Sequence, residues 1–78
     1  MTAPAVREPT KTIYRLLTGP DDAEFCRRVT EALSNGWILY GPPSIAYDAK
    51  AGRLICCQAI TKDIAAAAYD PARDLQSY

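Results

Sequence analysis

Asp21-Asp22-Ala23-Glu24-Phe25-Cys26-Arg27-Arg28-Val29-Thr30-Glu31-Ala32-Leu33-Ser34-Asn35-Gly36-Trp37 is the stretch that decides the fold. Phe25, Val29, Ala32 and Leu33 recur at helical spacing and draw one apolar stripe, with Cys26 beside it. Arg27, Arg28 and Glu31 fall on the other flank, and Glu24 precedes Arg28 in the favourable i,i+4 order. Asp21 and Glu24 stand in capping-box spacing, and Pro20 with Phe25 fits a hydrophobic staple. Asn35-Gly36 ends the helix, because glycine takes the left-handed conformation of a C-terminal cap. Trp37 is then expected to fold back onto Ala32 and Leu33.

Upstream, residues 12–17 (Thr-Ile-Tyr-Arg-Leu-Leu) are rich in strand formers and run into Gly19-Pro20, which predicts strand one. Residues 1–11 hold Pro4 and Pro9 and little to bury, and read as a disordered leader. Downstream, Trp37 to Tyr40 begins strand two, Gly41-Pro42-Pro43 interrupts it, and Ile45 to Tyr47 resumes it. Two residues without amides argue for an edge strand with a jog. Residues 48–52 form the turn, and residues 54–61 carry no charge, as suits a central strand three. Residues 63–69, with four consecutive alanines before Pro71, predict a short second helix. Residues 70–78 read as a flexible tail. The domain proper is thus residues 12–62, an α+β, two-layer β-α-β-β unit. Its three-stranded antiparallel sheet has order 1-3-2, with one helix on one face. A 1-2-3 order would place Pro42 and Pro43 in a central strand.

Alternation divides each strand between two faces. Tyr14, Leu16, Trp37, Leu39, Ile55, Cys57 and Ala59 form a set without charge, expected beneath the helix. The second set contains Ile13, Arg15, Leu17, Ile38, Tyr40, Leu54, Cys56, Gln58 and Ile60. It is too apolar for a face left in water, with Arg15 and Gln58 its clearly polar members. A chain of 78 residues buries only about 60% of its unfolded surface, so covering this face would contribute much to its stability. The expected cover is the helix of residues 63–69 folded under the sheet, a second copy of the chain, or both together. The commonness of symmetric dimers favours a homodimer across Ile13, Ile38, Tyr40, Leu54, Cys56, Gln58 and Ile60.

In these elements the chain resembles an uncharacterised family of short bacterial and phage domains of unknown function. The resemblance rests on Tyr14-Arg15-Leu16-Leu17-Thr18-Gly19, then Asp22 and Phe25, Gly36-Trp37, Gly41-Pro42-Pro43 and Gln58-Ala59, spanning residues 13–62. It implies the same compact β-α-β-β domain and brings no activity, cofactor or site residue with it.

The candidate chemistries are weak. Nine basic and nine acidic residues leave no charge excess for nucleic acid. The sequence has no apolar run near the ~20 residues that cross a bilayer. Three cysteines, no histidine and no secretory signal fit a reducing cytoplasm. Cys56-Cys57 points to opposite faces of a strand and has no nearby base, so both read as small hydrophobes rather than redox groups. Cys26, Cys56 and Cys57 lack the fourth ligand and the paired spacing of zinc sites. Asp21, Asp22 and Glu24 suit a first helical turn better than a catalytic cleft, and their charge opposes phosphate there. Tyr40, Pro42, Pro43 and Tyr47 offer an aromatic–proline surface for a peptide or small ligand. The sequence reads as a non-enzymatic interaction module that self-associates, without metal or cofactor. A ligand module built on Tyr40 to Tyr47 stands as the alternative.

Overall fold

The structure, a computed structural model, describes residues 9–78. Of the expected leader, residues 1–8 lie outside the described part, while Thr10 and Lys11 already belong to the first strand. The fold is α+β. At its centre stands β4 (Arg53–Ala65), whose branched and aliphatic residues favour extended backbone. On one side β1 (Thr10–Pro20) pairs with it antiparallel along its whole length, from Thr10 opposite Ala65 to Pro20 opposite Ile55. On the other side β2 (Ile38–Leu39) and β3 (Ser44–Asp48) share the edge, so the order is the expected 1-3-2 with strand two broken in two.

The break has a definite register. From Leu39 to Ser44 the edge advances five residues, while its partners on β4, Ile60 to Cys57, advance three. The surplus sits at Gly41-Pro42-Pro43, where two missing amides make ladder bonds impossible. Because that surplus is even, side-chain alternation resumes in phase on β3. The hairpin to β4 closes through Gly52, at φ +68°, with the Gly52 amide on Asp48 O at 2.8 Å. Asp48 Oδ1 accepts from the amide of Lys50 at 3.0 Å, the local bonding that makes aspartate a turn residue.

Helix α1 (Ala23–Ser34) forms as its stripe predicts, burying Phe25 and Ala32 and half-burying Val29. Leu33, expected in that stripe, stays exposed. The cap is one residue later than the capping-box spacing implied: Asp22, not Asp21, is the N-cap, and its Oδ1 accepts from the Phe25 amide at 3.0 Å. Asp21 is held instead by its own amide donating to Leu54 O. Glu24 is therefore not free to reach back, and it pairs with Arg27, which also donates to Glu31 Oε2 at 2.9 Å. The expected Glu24–Arg28 pair does not form, because Arg28 donates to Thr18 O at 2.9 Å. The C-terminal cap is as read from the sequence. Gly36 has φ +93°, its amide bonds Leu33 O at 3.2 Å, and the Trp37 amide bonds Ala32 O at 3.1 Å, the double closure of a Schellman turn.

Beyond Lys62 two expectations are overturned. Residues 63–65 continue β4 instead of starting a helix, because Thr10 to Thr12 of β1 lie opposite them and satisfy their backbone. Thr12 adds a hydroxyl bond to Asp63 Oδ1, and the Ala66 amide bonds Pro9 O. Only Ala66–Ala68 coil, as one 3-10 turn; four alanines are too few to offset the cost of nucleating a longer helix. The tail is packed rather than free: Tyr69, Leu75 and Tyr78 rest against the core, and a second 3-10 turn covers Leu75–Ser77.

The core also corrects the assignment of faces. Ile13, Leu17 and Ile60 pack with Phe25, Ala32 and Trp37, so for β1 and β4 the helix lies on the set expected to be open, whereas Trp37, expected beneath the helix, is there. Ile60 is fully buried and Trp37 is 2% exposed. In β2 the expected split holds, since Leu39 is opposite Ile60 and Ile38 opposite Thr61. The cause of the inversion is that polar groups on the inner face are satisfied there. Gln58, 5% exposed, donates to Gly41 O and Ala59 O, and Arg15 lies over the Trp37 ring at 5.2 Å. Gly19 belongs to the same face, where a Cβ would meet Phe25 Cδ1 at 3.1 Å.

Asp22→Ala is expected to cost about 1 kcal/mol of stability in urea unfolding, the usual cost of losing a cap. Asp21→Ala is expected to cost well under half of that, and equal losses would contradict the position of the cap.

Candidate interaction surface

The face opposite α1 is built by the other half of each strand. The ladders place Thr12, Tyr14, Leu16 and Thr18 of β1 beside Asp63, Thr61, Ala59 and Cys57 of β4. Across β4, Ile38 stands opposite Thr61, and the Tyr40 amide bonds Ala59 O at 2.9 Å, which extends the same register to Tyr40. Tyr14 is 50%, Leu16 52%, Ile38 62% and Tyr40 66% exposed. From Tyr14 to Cys57 this face carries no charged side chain, and Asp63 stands at its end. Of the nine large apolar side chains exposed among the described residues, these four lie on this face, while Leu39, Ile45, Tyr47 and Leu54 share the face of Ile60 by register and Leu33 sits on α1, so one helix is too little to cover this sheet.

The expected interface residues are divided by this geometry. Ile13, Gln58 and Ile60 are buried under α1 and cannot meet a partner. Cys56 is half-buried against the same core. Leu54 is exposed on the β3–β4 hairpin, opposite Tyr47. Ile38 and Tyr40 alone lie on the open face. Tyr14 and Leu16, expected beneath the helix, join them there. Their signal was present in the alternation of β1; the sign of the face was not.

The aromatic–proline surface is divided as well. Tyr40, Pro42, Pro43 and Tyr47 are all exposed, yet Tyr40 is in register with Ala59 and Tyr47 with Leu54, on opposite faces of the sheet. The jog between them is held by Gln58, whose Nε2 donates to Gly41 O at 3.1 Å and to Ala59 O at 2.9 Å. Gln58 thus ties the proline segment to the central strand from below.

The cysteines lie apart in role. Cys26 is exposed on α1, and Cys57, on the open face, is partly buried like Cys56. Partial burial raises the Cys56 thiol above its ordinary pKa, and the neighbouring Asp21 carboxylate pushes in the same direction. A thiol pushed upward is a poor nucleophile at neutral pH.

A small α+β domain with one capped helix over a β4-centred antiparallel sheet is the class these features define. A family model described as a domain of unknown function, DUF1737, matches residues 11–63, and the chain belongs to that family. No curated protein and no solved structure matches the chain.

Gln58→Ala is expected to lower stability by about 1–3 kcal/mol, the cost of orphaning buried hydrogen-bond partners. Hydrogen exchange should accelerate first at the Tyr40 amide, and uniform acceleration along the chain would contradict a local tie. With iodoacetamide at pH 7, Cys56 is expected to be the slowest of the three cysteines, read by peptide mass mapping. The thiolate gains with rising pH, so its rate should still be climbing above pH 9.

Proposed function

We propose that this domain is a non-enzymatic interaction module that pairs with a second copy of itself through the sheet face opposite α1. The observation that supports the reading is the uncovered, charge-free cluster of Tyr14, Leu16, Ile38 and Tyr40 around Ile55, Cys57 and Ala59. A partner of another kind would ordinarily be selected by complementary charge at the surface. The centre of this face sets no such condition, with Asp63 at one end and the Asp48–Arg53 pair at the other, and it can meet its own copy across a twofold axis without like-charge repulsion at the centre. The overall charge balance of nine basic and nine acidic residues also leaves two copies unrepelled.

The patch suits a weak, reversible pair. Seven residues of β1 at about 3.3 Å each and three strands about 4.8 Å apart give a flat footprint of about 23 by 14 Å. That is about 320 Å² per copy, well below the ~800 Å² per partner of a standard specific interface, the range of weak and transient contacts. Tyrosine contributes apolar area together with a hydroxyl that tolerates water, so Tyr14 and Tyr40 can stay wet in the free monomer. No described helix is long and apolar enough to cross a membrane. The three cysteines are unpaired, which supports placing the module in a reducing cytoplasm.

Sedimentation equilibrium of the full chain across the micromolar range is expected to show a reversible dimer. Ile38→Asp and Leu16→Asp should each give a monomer with an unchanged circular dichroism spectrum, because both side chains are already half-exposed or more. Ile60→Asp should instead unfold the chain. A wild type that stays monomeric up to about 500 μM, well above the micromolar Kd of a weak pair, would overturn the proposal.

A further inference from the structure

On the helix side of the sheet, away from the proposed dimer face, a cavity of about 170 Å³ opens between α1, β1 and the tail. Arg15, Arg28, Asn35, Trp37 and Gln76 line it, over a floor that includes Leu17 and Ala32, with Glu31 on the rim. We propose that this cavity binds a small oxyanion, a carboxylate or a phosphate group, between the guanidinium groups of Arg15 and Arg28.

Three features carry the assignment. The ion pairs among the described residues both belong to Arg27, so Arg15 and Arg28 face the cavity without a carboxylate of their own. Glu31 is the acid on the wall, and Arg27 engages its Oε2 at 2.9 Å. Arg28 uses Nη1 on Thr18 O, which fixes the side chain and leaves the rest of its five donors for a ligand. The second feature is neutral donors nearby. Asn35 and Gln76 enter the protein's bonding through main-chain atoms, Asn35 O to Lys62 Nζ and the Gln76 amide to Asp74 Oδ1, and both residues line the cavity.

The third feature is preorganisation around Trp37. Arg15 lies 5.2 Å from the ring centre and Lys62 Nζ 5.9 Å from it, so two cations already attend one indole. Lys62 also bonds Asn35 O at 2.8 Å and Tyr78 O at 2.5 Å, clasping the helix end to the tail that forms the outer wall. Two planar guanidinium forks match a carboxylate or phosphate in the bidentate manner that a point charge does not. The volume suits a group of that size and falls short of the range that holds drug-sized ligands.

Trp37 is the single tryptophan, so its emission reports on the cavity directly. The full chain would be titrated with sodium phosphate and, separately, with sodium succinate, at ionic strength held constant with sodium chloride. A saturable change in emission is expected, with midpoints raised about tenfold by Arg15→Gln, as the loss of one charge-assisted fork implies. Arg28→Lys, which keeps the charge and removes the fork, should weaken binding as well. A response to phosphate alone assigns phosphate esters, and a response to succinate alone assigns carboxylates. Ile38→Asp should leave the titration unchanged, which separates this site from the dimer face. No saturable response to either anion up to about 50 mM, or the same response in folded Arg15→Gln and Arg28→Lys, would overturn the proposal.

Discussion

β4 has hydrogen-bonding partners on both edges but a helix on one face only, and this asymmetry governs the molecule. Its thirteen residues supply both the fully buried Ile60 and the half-exposed Ile55, Cys57 and Ala59. The strand must stay extended to Ala65 to satisfy β1, which is why the alanine run yields no second helix. Once α1 is committed to the Ile13–Leu17–Ile60 side, nothing else among the described residues is long enough to cover the other.

The two ends of α1 are secured by different means, and both matter to what lies beneath. At its start, Gly19 gives up a side chain so that Phe25 can approach β1. At its end, the Gly36 turn delivers Trp37 into the core, where Arg15 and Lys62 rest against it. Lys62 then joins helix, sheet and tail through two main-chain oxygens. The tail is therefore part of the folded unit, and the cavity beside Trp37 owes its outer wall to it.

Local chemistry made much of this legible. The stripe of Phe25, Val29 and Ala32, the Gly36 cap, the interruption at Pro42-Pro43 and the strand order all follow from residues close in sequence. What alternation could not supply was which face the helix would choose, since both sets are apolar. Arg15 and Gln58 pointed the wrong way because a polar residue in a strand is ordinarily a sign of water. Here Gln58 bonds a turn seventeen residues away and Arg15 lies on an indole, and neither partner is visible in the strand itself. The packed tail is illegible for a related reason, as its anchors, Lys62 and Asp70, are distant or cryptic in sequence. Of the open face, Ile38 and Tyr40 are legible in the sequence, whereas alternation alone puts Tyr14 and Leu16 on the other side.

The jog at Gly41-Pro42-Pro43 has a meaning for the life of the chain in a crowded solution. A sheet this rich in aliphatic side chains would be prone to growing by strand-to-strand stacking into fibrils if its rims offered an unbroken row of amides. Pro42 and Pro43 erase that row midway along one rim, and Pro9 and Pro20 bracket the other. The rim carrying β2 and β3 is thereby interrupted, while the β1 rim is limited at its two ends.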